Sequence, residues 1–134
     1  MKKLLFICAG NVARSQMAEA YYNFFTHASN ATSAGVLDFT PAKYGHPIPA
    51  VITVMKEEGI DVSHKKVKTV TKEMVDDADQ IYVLCPEEKI PEFVMRSTKV
   101  TYWNVKDPFD GSIENFRVIR DMIKKRVQKI IVTQ

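Results

Sequence analysis

The alternation of short apolar runs with amphipathic segments predicts an α/β fold, a three-layer sandwich in which helices flank a small parallel sheet of about four strands. Nearly continuous apolar runs, typical of strands buried on both faces, occur at residues 3–8 and 80–85. Segments with apolar residues at helical spacing follow such runs along the chain. The 134 residues, 46% of them hydrophobic, suit one domain over residues 1–134 with a sizeable core.

The first unit of this pattern is a strand, a loop and a helix. Residues 3–8 form the predicted strand, and the small and polar residues 9–14 form a turn. Ser15 suits a helix N-cap, and Glu19 lies early enough to interact favourably with the positive end of the helix. The apolar face of this helix consists of Met17, Ala20, Tyr21, Phe24 and Phe25.

The remaining elements continue the alternation. Further strands are predicted at residues 32–35, 80–85 and 99–105. Helices are predicted around residues 48–55 and 71–78, with a short helix or turn at 87–96. Gly59 is expected to stop the second helix of the chain. A long amphipathic helix follows near the C-terminus, with the apolar face Ile113, Phe116, Ile119, Ile123, Val127 and Ile130.

Composition excludes several classes of function. Nineteen Lys and Arg against sixteen Asp and Glu give a net charge of +3, too small to indicate nucleic-acid or membrane binding. Two cysteines cannot form a disulfide framework or a four-ligand zinc site, and the three histidines are scattered. The apolar stretch after Met1 is too short for a signal peptide or a membrane span, so we expect a cytoplasmic protein with reduced thiols.

Three polar or reactive segments follow predicted strands. They are the loop after Cys8, the loop after Cys85, and Asp107-Pro108. In parallel α/β sheets the ligand site lies at the carboxyl ends of the strands, so these segments are expected to meet at one edge of the sheet.

The loop between the first strand and the first helix has the properties of an oxyanion site. Backbone N–H groups in such a loop, together with the helix dipole, attract anions, and an arginine can bind two oxyanion oxygens. A cysteine at the mouth of the loop is then stabilised as a nucleophilic thiolate. The expected oxyanion-binding loop is Ala9, Gly10, Asn11, Val12, Ala13, Arg14 and Ser15, with Cys8 before it. A buried cysteine followed by a turn and a capping serine is the structural alternative.

Asp107 is the candidate acid. Pro108 keeps Asp107 extended just after the last predicted strand. A carboxylic acid there could protonate a leaving group and later, as a carboxylate, activate water. An ordinary Asp-Pro turn is the alternative.

The motif C-x-G-N-x-x-R-S after an N-terminal strand, followed by Q-M-A-E-A, resembles the low-molecular-weight protein tyrosine phosphatases and the arsenate reductases that share their fold. The resemblance runs along nearly the whole chain. It includes Ser33-Ala34-Gly35, residues 59–64, Leu84-Cys85, Trp103, Asp107-Pro108 and residues 116–121.

The resemblance implies a role for each site residue. Cys8 would be the nucleophile, Arg14 the oxyanion clamp and Asp107 the general acid and then base. A hydrogen-bond network that fixes the loop would comprise Asn11, Ser15, Ser33 and His64. Without the family, His64 would be an ordinary loop histidine. The reaction is expected to need no metal and no cofactor, because Arg14 and the loop amides stabilise the charge.

Two departures from the family pattern bear on redox chemistry. Ala13 stands where most phosphatase relatives carry a second cysteine. Thioredoxin-recycled reductases pass oxidation to a cysteine matching Cys85 and then to a third cysteine, and Glu92 occupies that third position here. Cys85 is thus either a possible redox partner of Cys8 or a core thiol.

Phe109 favours the phosphatase branch, because aromatic residues after Asp-Pro in phosphotyrosine-specific relatives pack on the substrate ring. A hydrophobic contact that closes the loop is the other interpretation of Phe109. We therefore expect hydrolysis of a phosphotyrosine protein or a small phosphomonoester through a phosphocysteine. The alternatives are arsenate reduction with a thiol reductant and a non-catalytic phosphate-binding module, which would need neither Cys8 nor Asp107.

Overall fold

The computed structural model describes residues 2–37, 45–85, 90–108 and 112–134. Four parallel strands form one sheet in the order β2-β1-β3-β4. The strands are β1 (Leu4–Cys8), β2 (Ala31–Gly35), β3 (Gln80–Val83) and β4 (Val100–Tyr102). The helices of the described residues are α1 (Arg14–Thr26), α2 (Pro49–Lys56), α3 (Lys72–Asp77), α4 (Glu92–Met95) and α5 (Ile113–Thr133). The predicted fold class is confirmed.

The strand register aligns the carboxyl ends of the central strands. Cys8 pairs with Gly35 of β2, and Ile7 pairs with Val83 of β3. Val83 in turn pairs with Tyr102 of β4. The last residue of each strand therefore lies near one edge of the sheet, which is where ligands bind in parallel α/β folds.

The core is built around β1, whose five residues are all buried. Phe6 on β1 stacks on Tyr82 with ring centroids 5.6 Å apart, and Tyr82 lies 4.7 Å from Trp103. Helix α1 packs against β2 and against α5, and α5 also contacts α2. No helix in the described parts of the chain is both long and apolar enough to cross a membrane.

The predicted strands are longer than the observed ones at two places. The runs at 80–85 and 99–105 end as strands at Val83 and Tyr102. Beyond these ends the chain leaves the ladder, although Trp103 N still donates to Val83 O at 2.8 Å. The helix predicted at 87–96 is confined to Glu92–Met95, and residues 86–89 lie outside the described residues.

The predicted capping of α1 is wrong. The N-cap position is Ala13, which makes no side-chain cap bond, and Ser15 lies inside the helix. The Ser15 hydroxyl instead contacts Cys8 and Asn11. Glu19 does not lie in the first turn, and its carboxylate is bound by Ser33 rather than by the helix end.

A segment after α2 extends the sheet edge beside β2. Gly35 and Thr69 form an isolated parallel bridge. Gly35 N donates to Lys68 O, and Val70 N donates to Gly35 O, both at 2.8 Å. This pairing brings the basic stretch around Lys65 against the loop that follows β1, a contact that the sequence pattern does not indicate.

Candidate active site

Strand β2 and the residues that follow it support the loop after β1. Ala9 O accepts hydrogen bonds from Val36 N and Leu37 N, both at 2.9 Å. Asn11 has a φ of 57°, a left-handed conformation that asparagine tolerates better than most residues. A Cβ atom on Gly35 would lie 2.8 Å from Ala9 O and 2.9 Å from the carbonyl carbon of Gly10, so only glycine fits there. The loop therefore turns sharply over β2 and leads into α1.

The Cys8 sulfur is surrounded by hydrogen-bond donors. Cys8 is 2% exposed at the end of β1. Asn11 N donates to Sγ at 3.3 Å, and Ser15 Oγ lies 2.9 Å from the same sulfur. The sulfur therefore lies among hydrogen-bonding groups close to the N-terminus of α1.

Arg14 ties the loop to two other strand ends. The side chain is 3% exposed, and Nη1 donates to Leu84 O at 3.1 Å and to Val105 O at 2.9 Å. Leu84 follows β3, and Val105 follows β4. The two carbonyls hold the planar guanidinium at the carboxyl edge of the sheet, in a fixed orientation for an oxyanion.

A buried hydrogen-bond network supports Asn11. Its Nδ2 donates to Ser15 Oγ at 2.8 Å and to Ser33 Oγ at 2.9 Å. Its Oδ1 accepts from Lys68 N at 2.9 Å. Ser33 Oγ donates to Glu19 Oε1 at 2.8 Å. The network therefore connects β2, α1 and the segment beside β2 to the residues around the sulfur.

His64 is the one predicted network member that the structure places elsewhere. It is exposed, and among the described residues it makes none of the hydrogen bonds of this network. The neighbouring Lys65 joins the network instead, because its Nζ lies 3.0 Å from Glu19 Oε2.

Three members of the site are missing from the sequence-based prediction: Gln16, Glu19 and Lys65. Gln16 Nε2 donates to Asn11 O and to Asn11 Oδ1, both at 3.2 Å. Glu19 lies one helical turn after Ser15, on the same side of α1. The four-residue spacing between Ser15 and Glu19 could have predicted that Glu19 joins the site. Lys65 reaches the site only through the pairing of its segment with β2, which no local pattern predicts.

Asp107 lies just past the strand end that binds Arg14. It is exposed and stands two residues after Val105. Pro108 O accepts a hydrogen bond from Asn115 Nδ2 at 3.0 Å, which ties this segment to the first turn of α5. Phe109 lies outside the described residues.

Cys85 is fully buried two residues after β3 ends, and no disulfide joins it to Cys8. Leu84 N donates to Ile7 O at 2.7 Å, so the chain before Cys85 is still paired to the strand that carries Cys8. Glu92 is exposed at the start of α4, where it forms an ion pair with Arg96.

The family model described as low molecular weight phosphotyrosine protein phosphatase matches residues 3–134. The chain belongs to this family. The resemblance inferred from the C-x-G-N-x-x-R-S motif is therefore confirmed. Membership identifies the chain as an enzyme of the family.

Relatives within the family carry two kinds of name. A glutaredoxin arsenate reductase from a Synechocystis species is 30% identical over 98% of this chain and 97% of its own length. A solved arsenate reductase in the phosphate-binding state is 30% identical, with a TM-score of 0.81 over 99% of this chain and 98% of the other. The YwlE arginine phosphatase from Geobacillus stearothermophilus is 26% identical, with a TM-score of 0.79 over 97% of this chain and 90% of the other.

Proposed function

We propose that this enzyme hydrolyses phosphomonoesters, with phosphotyrosine in proteins as the substrate class, through a phosphocysteine on Cys8. The carrying observation is the position of the Cys8 sulfur, 2.9 Å from Ser15 Oγ and 3.3 Å from Asn11 N, beside a buried arginine. These contacts favour a thiolate at the base of an anion-binding loop.

In the first step the loop amides and Arg14 bind the non-bridging phosphate oxygens. Cys8 Sγ attacks phosphorus in line with the ester oxygen, which leaves as the phosphorus–oxygen bond breaks. Asp107 gives its proton to that oxygen, so a poor leaving group departs as a neutral alcohol. The arginine and the amides stabilise the charge on the equatorial oxygens.

In the second step water attacks the phosphocysteine. Asp107, now a carboxylate, takes a proton from that water. The sulfur leaves as a thiolate, and the Ser15 hydroxyl donates a hydrogen bond to it as its negative charge returns. Inorganic phosphate is released, and Cys8 and Asp107 return to their starting protonation states.

Arsenate reduction is the second candidate function. Two observations favour it: the relatives named arsenate reductase are 30% identical over almost the whole chain, and Cys85 is a buried thiol at the end of β3. Cys8 Sγ would displace a hydroxyl group of arsenate, which leaves as water, and a second thiol would then attack the Cys8 sulfur and break the sulfur–arsenic bond, whose electron pair stays on arsenic. That attack forms a disulfide and releases arsenite, so two thiols lose the two electrons that arsenic gains.

The reductase route needs a reductant from outside the chain. The sequence contains two cysteines, and Glu92 stands where the resemblance places a third. A Cys8–Cys85 disulfide or a mixed disulfide with glutathione would have to be reduced by an external thiol or by thioredoxin. A phosphatase needs no such partner, which is why we place hydrolysis first.

Steady-state hydrolysis of a phosphotyrosine peptide, with Cys8→Ser as the blank, tests the proposal. A Cys8-dependent kcat/KM above about 10⁴ M⁻¹s⁻¹ is expected, the lower end for natural enzymes. A value orders of magnitude lower contradicts it. The same preparation is then assayed for arsenite release from arsenate with glutathione or with thioredoxin, and Cys85→Ser shows whether Cys85 takes part.

A further inference from the structure

We propose that Lys65 is a positioning residue for the nucleophile. Its ammonium group pairs with the buried Glu19 carboxylate, and Glu19 anchors the chain of hydrogen bonds that ends at Cys8 Sγ. The inference rests on the proposed role of Cys8 as the nucleophile, and it assigns a function to an ion pair that the reaction steps above do not use.

The ion pair lies inside the protein. Glu19 is 4% exposed, and its two carboxylate oxygens are bound separately, Oε2 by Lys65 Nζ at 3.0 Å and Oε1 by Ser33 Oγ at 2.8 Å. A buried carboxylate is costly unless it is paired and hydrogen-bonded. Lys65 supplies the compensating charge, since the described hydrogen bond from Ser33 is a neutral one.

The chemistry of each group then fixes the direction of every hydrogen bond. An ionised carboxylate only accepts, so Ser33 must use its single hydrogen on Glu19. The Ser33 oxygen is left to accept from Asn11 Nδ2 at 2.9 Å. The backbone N–H of Lys68 bonds to the other end of the Asn11 amide, which confirms which end carries the oxygen.

The direction of the hydrogen bond at the Cys8 sulfur follows in the same way. The second hydrogen on Asn11 Nδ2 goes to Ser15 Oγ at 2.8 Å, so Ser15 accepts from Asn11. The hydrogen of the Ser15 hydroxyl is then directed at Cys8 Sγ, 2.9 Å away. Without a charged Glu19, Ser33 would no longer be required as a donor, and the acceptor that Ser33 offers to Asn11 Nδ2 would no longer be fixed.

Lys68 is a second cation, among the described residues, that faces this end of the network. Burial lowers the pKa of its ammonium group, the nearby Glu19 raises it and Lys65 lowers it. Lys68 Nζ itself donates to Lys66 O at 3.1 Å. Removal of the Lys65 charge would therefore leave Lys68 as a weaker, indirect compensation, and the expected effect is a partial loss.

The test measures the rate at which iodoacetamide alkylates Cys8 between pH 5 and 9, with the modified peptide identified by mass spectrometry. We expect Lys65→Met to slow alkylation at pH 6 by about tenfold, as loss of one charged hydrogen-bond partner implies. Lys65→Arg should restore the rate to within about twofold. Lys66→Met is the matched control, because Lys66 is exposed and its ammonium group has no bond within the described residues.

Lys65→His provides a readout that a purely structural role would not change. An imidazolium can hold the Glu19 charge, whereas neutral imidazole holds it poorly, and the change falls between about pH 5 and 8. The alkylation rate relative to wild type should therefore fall across that range towards the Lys65→Met value. Lys65→Met should show no such step.

Three outcomes would overturn the inference. The first is equal alkylation rates for Lys65→Met and Lys66→Met at every pH. The second is a Lys65→His rate ratio that does not change with pH. If Lys65→Met fails to fold, Glu19→Gln with Lys65→Met removes both charges and restores a neutral interior. A wild-type rate in that double variant is the third such outcome.

Alkylation uses no phosphorylated substrate, so the two proposals can fail separately. A Lys65 effect on alkylation without phosphotyrosine hydrolysis would leave the inference standing and reject the proposed function. Phosphotyrosine hydrolysis without an effect of Lys65 on alkylation would support the proposed function and reject the inference.

Discussion

Gly35 lies directly beneath Ala9, so close that a Cβ atom on Gly35 would stand 2.8 Å from the Ala9 carbonyl oxygen. The atoms that such a Cβ would meet belong to the backbone of the loop after β1 and cannot rotate away. The shape of the loop therefore depends on a residue from a different strand, 26 positions further along the chain.

We expect Gly35→Ala to destabilise the protein by about 1–3 kcal/mol, since overpacking a rigid site costs this much. Hydrolysis should fall as well, because the loop must shift away from the sulfur. Urea unfolding and kcat/KM measure the two effects. Gly45→Ala is the control, since nothing lies within 4 Å of a Cβ there. Equal stability of both variants would contradict the close contact.

Cys8→Ser should abolish turnover and retain phosphate binding. The substitution removes the nucleophile and leaves the loop amides and Arg14 in place. Isothermal titration with phosphate, beside the activity assay, measures both properties. Residual turnover within about tenfold of wild type would exclude Cys8 as the nucleophile.

Asp107→Asn should lower kcat by an amount that depends on the leaving group. Asparagine cannot give up a proton, so an alkyl phosphate, whose alcohol is a poor leaving group, should lose about 10²–10⁴-fold. A nitrophenyl phosphate needs little protonation and should lose less in the first step. Rates for a series of aryl phosphates give the slope against leaving-group acidity. A parallel loss across the series would count against the acid role.

Glu57 should contribute stability that disappears in acid. Hydrogen bonds from Arg117 and Arg120 lower the pKa of Glu57 to about 2 from its ordinary value of 4.5. A lowered pKa in the folded state stabilises the protein above about pH 4.5, and that stabilisation is lost as the pH falls towards 2. Thermal melting of wild type and Glu57→Gln should therefore differ at pH 6 and converge near pH 2.

Arg117 and Glu57 are partly exposed, whereas Arg120 is buried, so salt is a second check on the Arg117 contact. The Tm difference between wild type and Glu57→Gln at pH 6 should shrink in 1 M NaCl, where charges are screened over about 3 Å. A difference that is unchanged by both pH and salt would show that the substitution acts through packing alone.

The fold was predictable because its signals are local. β1 is an apolar run with all five residues buried, and α5 shows a regular apolar stripe, so period and length identify both. The ends of β3 and β4 were less predictable. Apolar residues such as Leu84, Trp103 and Val105 are buried beyond the ladder, and burial alone does not distinguish a strand from a packed loop.

The parts of the site near Cys8 in sequence were also predictable. Cys8, Asn11 and Ser15 lie within eight positions, and their contacts follow from one loop. The resemblance also implied the contacts of Ser15 within the loop network, whereas its predicted role as the helix cap is wrong, because the hydroxyl contacts Cys8 and Asn11 and makes no cap bond. The position of Lys65 in the site depends on the Gly35–Thr69 bridge, a long-range pairing that no local sequence pattern predicts.

Arg14 donates hydrogen bonds to Leu84 O and Val105 O, so the candidate site is completed only late in folding. The guanidinium belongs to the beginning of the chain, but its two carbonyl partners lie 70 and 91 residues further on. A growing chain that has completed β1 and α1 contains Cys8, but its Arg14 side chain is not yet fixed in place. Pairings of such sequence separation are slow to form, so recovery of activity during refolding should follow completion of the whole sheet. Intermediates in which β4 has not yet docked would lack the Val105 carbonyl that binds Arg14, so the proposed site is complete only when the fold is complete.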